Sequence, residues 1–567
     1  MVVEKCYAAV CFVQLDPNGS KFFGFSEFLA GLALMVLAWT IGDVRYRFRV
    51  QTAPIPLQRL TYSVVAIVGV LTLLTDLWRA QGWLVPRGSL LTPPLWQAFL
   101  AGIFFITFLT WAWFAFIRRP TFGRRNAERY AQTLYRHILK GDPKELSVVA
   151  DELMYSARAL VRYATDRKVF VNHHPKSDGS QTSPVLPKVE SYANDILLLI
   201  ADKRLCRVIV ESSPGAALAI FDEIGETKKY GVQIEIFAKN IVREALLNTN
   251  SFIYHESMGY ESGLIGYHQP LSQAMFGNHM MVDTIGTLLD PDLVGNRKWT
   301  AVQWEAYCRV VLITLRDYVK KPHWHHSNPL FRAKGYIENA VYGLYKLNAV
   351  ANSLDSDTVQ CLRIVIDFIK DAVEILDKKG KPDYIRLRVR VEYGHPYESI
   401  YDDIASMIFE VIFHASSVAS PQWECWFIQH NSIWGPINHG LNGASGKVVK
   451  YKFRRLLYDA IAEMDRFPNF KGAKILGFCL NVMGLEVHES SRGKESWPLH
   501  KAIISWTKKH YVWLYNNSPR VAEACLVDGI TFNVEELQLV KTYGADGLRR
   551  EPRYVRLDLE PDNSADK

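Results

Sequence analysis

The sequence predicts an all-α membrane protein, with three N-terminal transmembrane helices followed by a large, mostly helical cytoplasmic region. Long stretches without charge lie in residues 22–117, and signals for helix starts recur through the rest of the chain. Hydrophobic residues make up 49% of the 567 residues and charged residues 22%. These fractions are typical of a folded chain, so they exclude a disordered or collagen-like protein.

The three apolar stretches each have roughly the 20 residues that a helix needs to cross about 30 Å of hydrocarbon. The predicted spans are residues 22–42, 60–78 and 95–117. Tryptophans lie near their ends, as in the aromatic belts of membrane proteins: Trp39, Trp78, Trp96 and Trp113. Together these features predict a multi-pass protein of the plasma (inner) membrane.

The distribution of basic residues predicts the orientation of the spans, because cytoplasmic loops are enriched in Lys and Arg. The first loop holds four arginines: Arg45, Arg47, Arg49 and Arg59. Five more follow the third span: Arg118, Arg119, Arg124, Arg125 and Arg129. We therefore expect the N-terminus outside and the C-terminal region in the cytoplasm. The five arginines after the third span are also expected to contact anionic lipid headgroups.

The second span carries a polar stripe at helical spacing, formed by Thr72, Thr75, Asp76 and Arg79. Polar groups in a bilayer face protein or water, because lipid offers them no hydrogen bonds. In the third span, Ala98 and Gly102 form a small-xxx-small pair that lets another helix approach closely. These features, with an aromatic-rich cytoplasmic region, predict a homo-oligomer.

The pattern predicts six segments along the chain. They are a short external tail (1–21), the transmembrane domain (22–117), a basic segment with a helical pair (118–170), a flexible loop (171–188), a helical cytoplasmic domain (189–560) and a frayed tail (561–567). The helix starts are well marked, for example at Asp142-Pro143 and Thr300. Strand-like alternation is brief, at 385–391 and 554–559.

Motifs for known chemistry are near misses. The stretch Gly440–Lys447 resembles a phosphate-binding loop but lacks two of its required residues, so it predicts a plain glycine loop. Cys425 stands among aromatic residues, which favours a buried and inert thiol. Cys6 and Cys11 would face the oxidising side, where a disulfide is permitted, and the sequence alone leaves their pairing open.

Residues 250–283 are predicted to form a long irregular segment rich in glycine, aromatic residues and histidine. His255, His268, His279 and Asp283 supply ligand types that a metal site uses, although their spacing matches no known signature. His279 and Asp283 would share a face if that end is helical. A metal or acid–base site and a packed structural or partner-binding loop are therefore both open for this segment.

Two functions follow as hypotheses. The first is a non-enzymatic sensor or effector whose cytoplasmic domain binds a protein or small-molecule ligand and acts through an oligomeric membrane segment, in signalling or membrane-perturbing defence. The second is a membrane-tethered, metal-dependent hydrolase with its site in residues 250–283. The missing motifs favour the first. No motif indicates a cofactor, and nucleic-acid binding is not expected because the excess positive charge is mostly next to the membrane.

Overall fold

A computed structural model describes residues 4–7, 10–15, 21–41, 43–86, 92–167, 188–258, 261–262, 266–267, 270–292, 299–320, 327–379, 399–488, 490, 495–544 and 551–561. Helices account for 73% of the structure and strands for little, which confirms the all-α class. The chain divides into two compact units, Met1–Glu244 and Ala245–Lys567. The predicted flexible loop at 171–188 lies almost entirely outside the described residues.

The first unit contains three apolar helices. They are α1 (Phe25–Ile41), α3 (Leu57–Ala80) and α4 (Pro93–Ala112), the last continued by a π-helical turn, Trp113–Ile117, and the short helix α2 (Val44–Thr52) lies between α1 and α3. Two stretches are long and apolar enough to cross a membrane: α3, and α4 with its π-helical turn, with mean hydropathies of 1.9 and 2.0. The second and third predicted spans therefore correspond to real helices of sufficient length and apolarity.

The prediction of three full-length spans is wrong at the first one. Helix α1 has 17 residues, which at about 1.5 Å per residue falls short of the roughly 30 Å hydrocarbon core. The chain then bends by 107° into α2, whose composition is basic rather than apolar. Hydropathy alone does not reveal this shortening, because Phe22 and Phe23, which precede the start of α1, are apolar as well.

A three-stranded antiparallel sheet joins the chain before α1 to the loop between α3 and α4, with strand order β1-β2-β3. Its strands are β1 (Glu4–Tyr7), β2 (Val10–Gln14) and β3 (Leu84–Pro86). Val13 pairs with Val85, which lies in the loop between α3 and α4. The N-terminal tail and this loop are therefore at the same end of the apolar helices, a pairing that the sequence analysis did not predict.

The rest of the first unit is helical: α5 (Ala127–Lys140), α6 (Pro143–Tyr163), α7 (Lys188–Leu199), α8 (Lys203–Ser212), α9 (Pro214–Thr227) and α10 (Glu235–Leu247), in which the unit boundary falls. The predicted start of α6 is confirmed, because the Asp142 carboxylate accepts a hydrogen bond from the Lys144 amide at 3.1 Å. Gly141 ends α5 with a φ of 68°, a left-handed conformation that favours glycine.

The second unit contains longer helices joined by short ones. They are α11 (Phe252–Met258), α12 (Pro270–Phe276), α13 (His279–Ile285), α14 (Ala301–Tyr318), α15 (Asn328–Glu338), α16 (Asp357–Lys379), α17 (Ile400–Ala415), α18 (Gln422–Trp426), α19 (Gly435–Gly440), α20 (Ala444–Ala462), α21 (Phe470–Met483), α22 (Trp497–Asn517) and α23 (Pro519–Glu523). Thr300 and Gln303 form the capping box of α14, as its predicted start requires.

Other short elements complete the second unit. A π-helix, Phe427–Trp434, joins α18 to α19, and 3₁₀ turns follow α15 (Asn339–Leu347) and α20 (Glu463–Asp465). Two short strands, β4 (Glu261–Ser262) and β5 (Gly266–Tyr267), pair with each other. The described residues of the 250–283 segment thus form short helices and a strand pair where the sequence predicted an irregular segment.

A second three-stranded sheet closes the unit: β6 (Ile530–Asn533), β7 (Gln538–Tyr543) and β8 (Arg553–Asp558). The predicted strand at 554–559 corresponds to β8, whereas the one at 385–391 lies outside the described residues.

The glycine loop before α20 is occupied by the protein's own carboxylate. Gly443 caps α20, and the Asp377 carboxylate accepts a hydrogen bond from the Ser445 amide at 2.7 Å. Helix N-termini attract anions, and here Asp377 of α16 supplies the anion. The resemblance of this loop to a phosphate-binding loop is therefore accounted for by a capped helix.

Candidate functional site

The apolar helices share a small core and expose a wide apolar surface. Phe28 of α1, Val68 of α3 and Leu100 of α4 are buried together. Leu34, Ile67 and Ile106 project outward from the same three helices, with 58–68% of each side chain exposed. An exposed apolar surface of this extent marks a membrane or protein interface.

The predicted polar stripe of α3 holds neighbouring helices in place. Thr75 Oγ1 accepts a hydrogen bond from Trp96 Nε1 of α4 at 3.2 Å, and Asp76 Oδ2 accepts one from the Phe25 amide at 2.9 Å. Asp76 therefore caps the first turn of α1 from another helix, at a position where the helix dipole stabilises a carboxylate. Thr72 Oγ1 donates to the carbonyls of Val68 and Gly69 within α3, and Arg79 is buried.

At the opposite end of these helices, α2 is joined to α6 by a buried ion pair. Arg49 Nη2 lies 2.6 Å and Arg49 Nε 3.0 Å from Glu152 Oε1. Both side chains are about 95% shielded from solvent, with 4–5% exposed. Removing one partner of such a pair leaves a buried charge without compensation and costs about 3–5 kcal/mol. The pair therefore fixes the position of α2 against α6.

A second, more exposed pair continues the connection into α9. Arg45 Nη2 lies 2.9 Å from Asp151 Oδ2, and the other carboxylate oxygen of Asp151 accepts the hydroxyl hydrogen of Ser213. Ser213 is the residue that caps α9. Helices α2, α6 and α9 are therefore linked through side chains on two adjacent residues, Asp151 and Glu152. We call Arg45, Arg49, Asp151 and Glu152 the junction.

Polar side chains also satisfy the carbonyl groups where α2 and α4 end. Arg49 Nη1 donates to the Ala115 carbonyl in the π-helical turn at 3.4 Å. Asn126 Nδ2 donates to the Thr52 carbonyl at 2.6 Å, and Arg129 Nη2 donates to the Pro54 carbonyl at 2.8 Å. The last carbonyls of a helix have no partner within it, and the helix dipole stabilises cations placed there. π-Helical turns of this kind are frequent at functional sites.

The five arginines predicted to contact lipid headgroups divide into two groups. Arg118, Arg119, Arg124 and Arg125 are exposed. The Arg119 guanidinium lies over the Tyr155 ring, 4.1 Å from its centroid. Arg129 is half-buried and bonds to the chain itself, and burial lowers its pKa. Four of the five therefore face solvent at the end of α4.

The four candidate metal ligands are not gathered at one point in the described structure. His279 Nδ1 lies 2.8 Å from Asp317 Oδ2, whereas Asp283 Oδ1 accepts a hydrogen bond from Ser327 Oγ at 2.5 Å. His255 is exposed, and His268 lies outside the described residues. Within the described part of the chain, no group of three His, Cys, Asp or Glu residues could hold a metal ion. Burial raises the pKa of Asp317, but hydrogen bonding to His279 outweighs it and the net pKa is lowered, which favours a packed, hydrogen-bonded pair.

The second unit contains a buried polar network. Lys541 Nζ of β7 donates to the Asn481 carbonyl at 2.6 Å, and Asn481 Nδ2 donates to Gln429 Oε1 at 3.0 Å and to Cys425 Sγ at 3.4 Å. Gln429 lies in the π-helix. Burial raises the pKa of the Cys425 thiol to about 12, which agrees with the predicted inert cysteine. Burial lowers the pKa of Lys541 to about 8.

Comparison with known proteins adds no family to this picture: no protein-family model, no curated protein and no solved structure matches the chain. The junction is therefore the strongest candidate site on structural grounds. The sequence analysis interpreted Arg45 and Arg49 only as markers of orientation. One signal in the sequence could have indicated that they pair with α6: Arg45 and Arg49 stand one helical turn apart in a segment too polar to cross a membrane.

Proposed function

We propose that the protein is a membrane-anchored sensor or effector, in which the helical region binds a protein or small-molecule ligand and acts on the membrane segment through the junction. The observation that carries the proposal is the buried Arg49–Glu152 pair, which ties the helix after α1 to the first long helix beyond the spans. A buried pair between two packed helices transmits displacement, because breaking it costs about 3–5 kcal/mol.

The path from ligand to membrane runs through α6 in this proposal. Helix α6 contacts α9 through Arg162 Nε, which lies 2.6 Å from Glu223 Oε1, and through the Asp151–Ser213 bond. A shift of α9 would therefore move α6, and α6 would move α2. Because α2 leaves α1 at an angle of 107°, a displacement of α2 would tilt α1.

We also propose the orientation of the chain. The N-terminal tail and the α3–α4 loop would lie outside, and the region after α4 in the cytoplasm of a cell with a plasma (inner) membrane. The sheet that pairs β2 with β3 supports a common side for the tail and the loop. Under this proposal α1 is a third, short crossing, and a bilayer accommodates a short helix by local thinning at modest cost.

The exposed arginines after α4 would contact anionic lipid headgroups. Each cation near such a surface contributes about 1 kcal/mol to membrane attachment. Arg118, Arg119, Arg124 and Arg125 are exposed and lie directly after the last apolar helix. This contact would hold the start of α5, and with it the junction, at the membrane surface.

A homo-oligomer completes the proposal. A Cβ atom built on Gly102 has nothing within 4 Å among the described residues, whereas one on Gly31 or Gly69 would lie 2.9 Å from a phenylalanine ring of the same chain. Gly31 and Gly69 therefore serve packing within the chain. The open side of Gly102, next to exposed Ala98, would admit a helix of a second copy.

Hydrogen–deuterium exchange on the detergent-purified full chain tests the coupling. In the Glu152→Gln variant, amides of α2 and of the π-helical turn should exchange faster than in the wild type, because the buried pair no longer holds them. The exposed Glu128→Gln in α5 is the matched control and should leave these amides unchanged. Equal exchange in Glu152→Gln and the wild type would contradict the proposal.

The alternative, a metal-dependent hydrolase, is tested by metal analysis of the same preparation. It requires stoichiometric zinc or manganese that is lost in His279→Ala. The pairing of His279 with Asp317 favours a structural role for this histidine.

A further inference from the structure

We propose that Cys6 and Cys11 form a disulfide bond that closes the N-terminal hairpin. The antiparallel register of β1 and β2 makes these two residues direct cross-strand partners, next to the Tyr7–Val10 pair that flanks the connection. The inference rests on the proposed orientation, which places this hairpin outside. The sequence alone leaves the pairing open, and the register supplies the missing observation.

The register satisfies the distance requirement of a disulfide. Directly opposed residues in antiparallel strands have Cα atoms about 4.5 or 5.5 Å apart, depending on whether the pair is hydrogen-bonded. Disulfides join residues whose Cα atoms are about 4.4–6.8 Å apart. Either kind of pair therefore lies within the range without movement of the backbone.

The other cysteines do not compete for this bond. Cys206, Cys308, Cys361, Cys425, Cys479 and Cys525 are free and buried. Burial raises the pKa of each of the six thiols, which keeps them protonated and unreactive. Cys6 and Cys11 are thus the remaining pair of the eight cysteines in the sequence.

The reaction needs an oxidant, and thiol–disulfide exchange with an oxidised protein dithiol of the external compartment supplies it. One thiolate attacks the disulfide of the oxidant, and the second thiolate displaces it from the mixed disulfide. One S–S bond forms between the two cysteines, and the oxidant leaves as a dithiol with both electrons and both protons. The closed loop would stabilise β1 and β2 against β3.

Alkylation in cells tests the bond. Cells that express the full chain are treated with N-ethylmaleimide before lysis, and the purified protein is digested with trypsin. Cleavage after Lys5 and Lys21 gives one peptide that contains both cysteines and no other. We expect this peptide to be unalkylated and two hydrogen atoms lighter than the dithiol form. The matched control is Cys6→Ser, in which Cys11 should be alkylated directly.

Alkylation of both cysteines in cells would overturn the inference. A second measurement then separates its causes: the purified protein is incubated in a glutathione redox buffer and digested again. If the bond closes in the buffer but not in cells, the hairpin does not face an oxidising compartment, and the proposed orientation fails as well. If it closes in neither, the inference fails alone, and the orientation is judged by its own test.

Discussion

The guanidinium of Arg49 and the carboxylate of Glu152 meet at 2.6 Å, although 103 residues separate them in the sequence. Arg49 follows the first apolar helix, and Glu152 belongs to α6, beyond the last one. The segment between α1 and α3 is therefore a docked helix with a defined partner. A connecting loop needs no buried charge pair, so this contact shows that α2 packs specifically against α6.

The first prediction concerns the stability of this contact. Glu152→Leu should lower the free energy of unfolding by about 3–5 kcal/mol, because it leaves the buried Arg49 guanidinium without its carboxylate. Arg49→Leu should cost somewhat less, because Arg45 Nε still lies 3.8 Å from Glu152 Oε1. The double variant should lose much less free energy of unfolding than the two single variants together, since neither member of the buried pair remains. Thermal unfolding in detergent, followed by tryptophan fluorescence, measures all three.

The Arg45–Asp151 pair is the matched control, because it lies in the same helices with 37% and 45% of the side chains exposed. Arg45→Leu should cost less than Arg49→Leu, because the Arg45 side chain is 37% exposed and its Nε lies 3.8 Å from Glu152 Oε1, farther than Arg49. Additive effects of Arg49→Leu and Glu152→Leu would show that the two side chains do not stabilise each other.

The second prediction concerns assembly through α4. Gly102→Leu should shift the protein towards smaller assemblies, because the larger side chain fills the space that a neighbouring copy would use. The fold of one copy should persist, since nothing described lies within 4 Å of the added Cβ. Light scattering on detergent-solubilised protein, corrected for micelle mass, measures the assembly.

Gly69→Leu provides the contrast, because its Cβ would lie 2.9 Å from the Phe28 ring and the variant should lose thermal stability. A wild-type protein that runs as a single species near its monomer mass of 64.8 kDa would exclude the oligomer.

The third prediction concerns the pH dependence caused by Lys541. The pKa of Lys541 is about 8 in the folded protein, whereas its ordinary value, which applies to the unfolded chain, is 10.5. Between pH 8 and 10.5 the folded state therefore binds fewer protons than the unfolded state. The free energy of unfolding contributed by this group therefore rises with pH across that window. Below pH 8 the folded protein bears the full cost of the buried charge.

Lys541→Met removes that cost. Relative to the wild type, the free energy of unfolding of the variant should be higher by up to about 3 kcal/mol below pH 8, and this difference should shrink as the pH rises to 10. Lys509→Met, which removes an exposed lysine of α22, gives the baseline. A Lys541→Met difference that is flat across this range would contradict the lowered pKa.

Local signals in the sequence were sufficient for most of the helices. The Asp142-Pro143 start, the Thr300 capping box and the long uncharged stretch that became α4 each depend on neighbouring residues, and each is confirmed. The strand predicted near the C-terminus is confirmed for the same reason, since its alternation is local.

Contacts between distant residues were beyond the reach of this reasoning. Pairing of β2 with β3 joins segments about 70 residues apart, and no local pattern distinguishes Val13 from other apolar residues of the tail. The junction posed a further difficulty, because arginine near a span has a sufficient explanation in orientation alone. The shortness of α1 was hidden by the apolar residues Phe22 and Phe23, which precede the first residue of the helix.

The orientation of the N-terminus tests the central claim most directly. Short epitope tags are placed before Met1, near Ser89 and after Lys567, and their exposure is measured by protease treatment of intact cells and of inside-out vesicles. We predict that the first two tags are cleaved only from outside and the third only from the cytoplasmic side. A tag before Met1 on the cytoplasmic side would show that α1 does not cross. A tag after Lys567 outside would contradict the whole account.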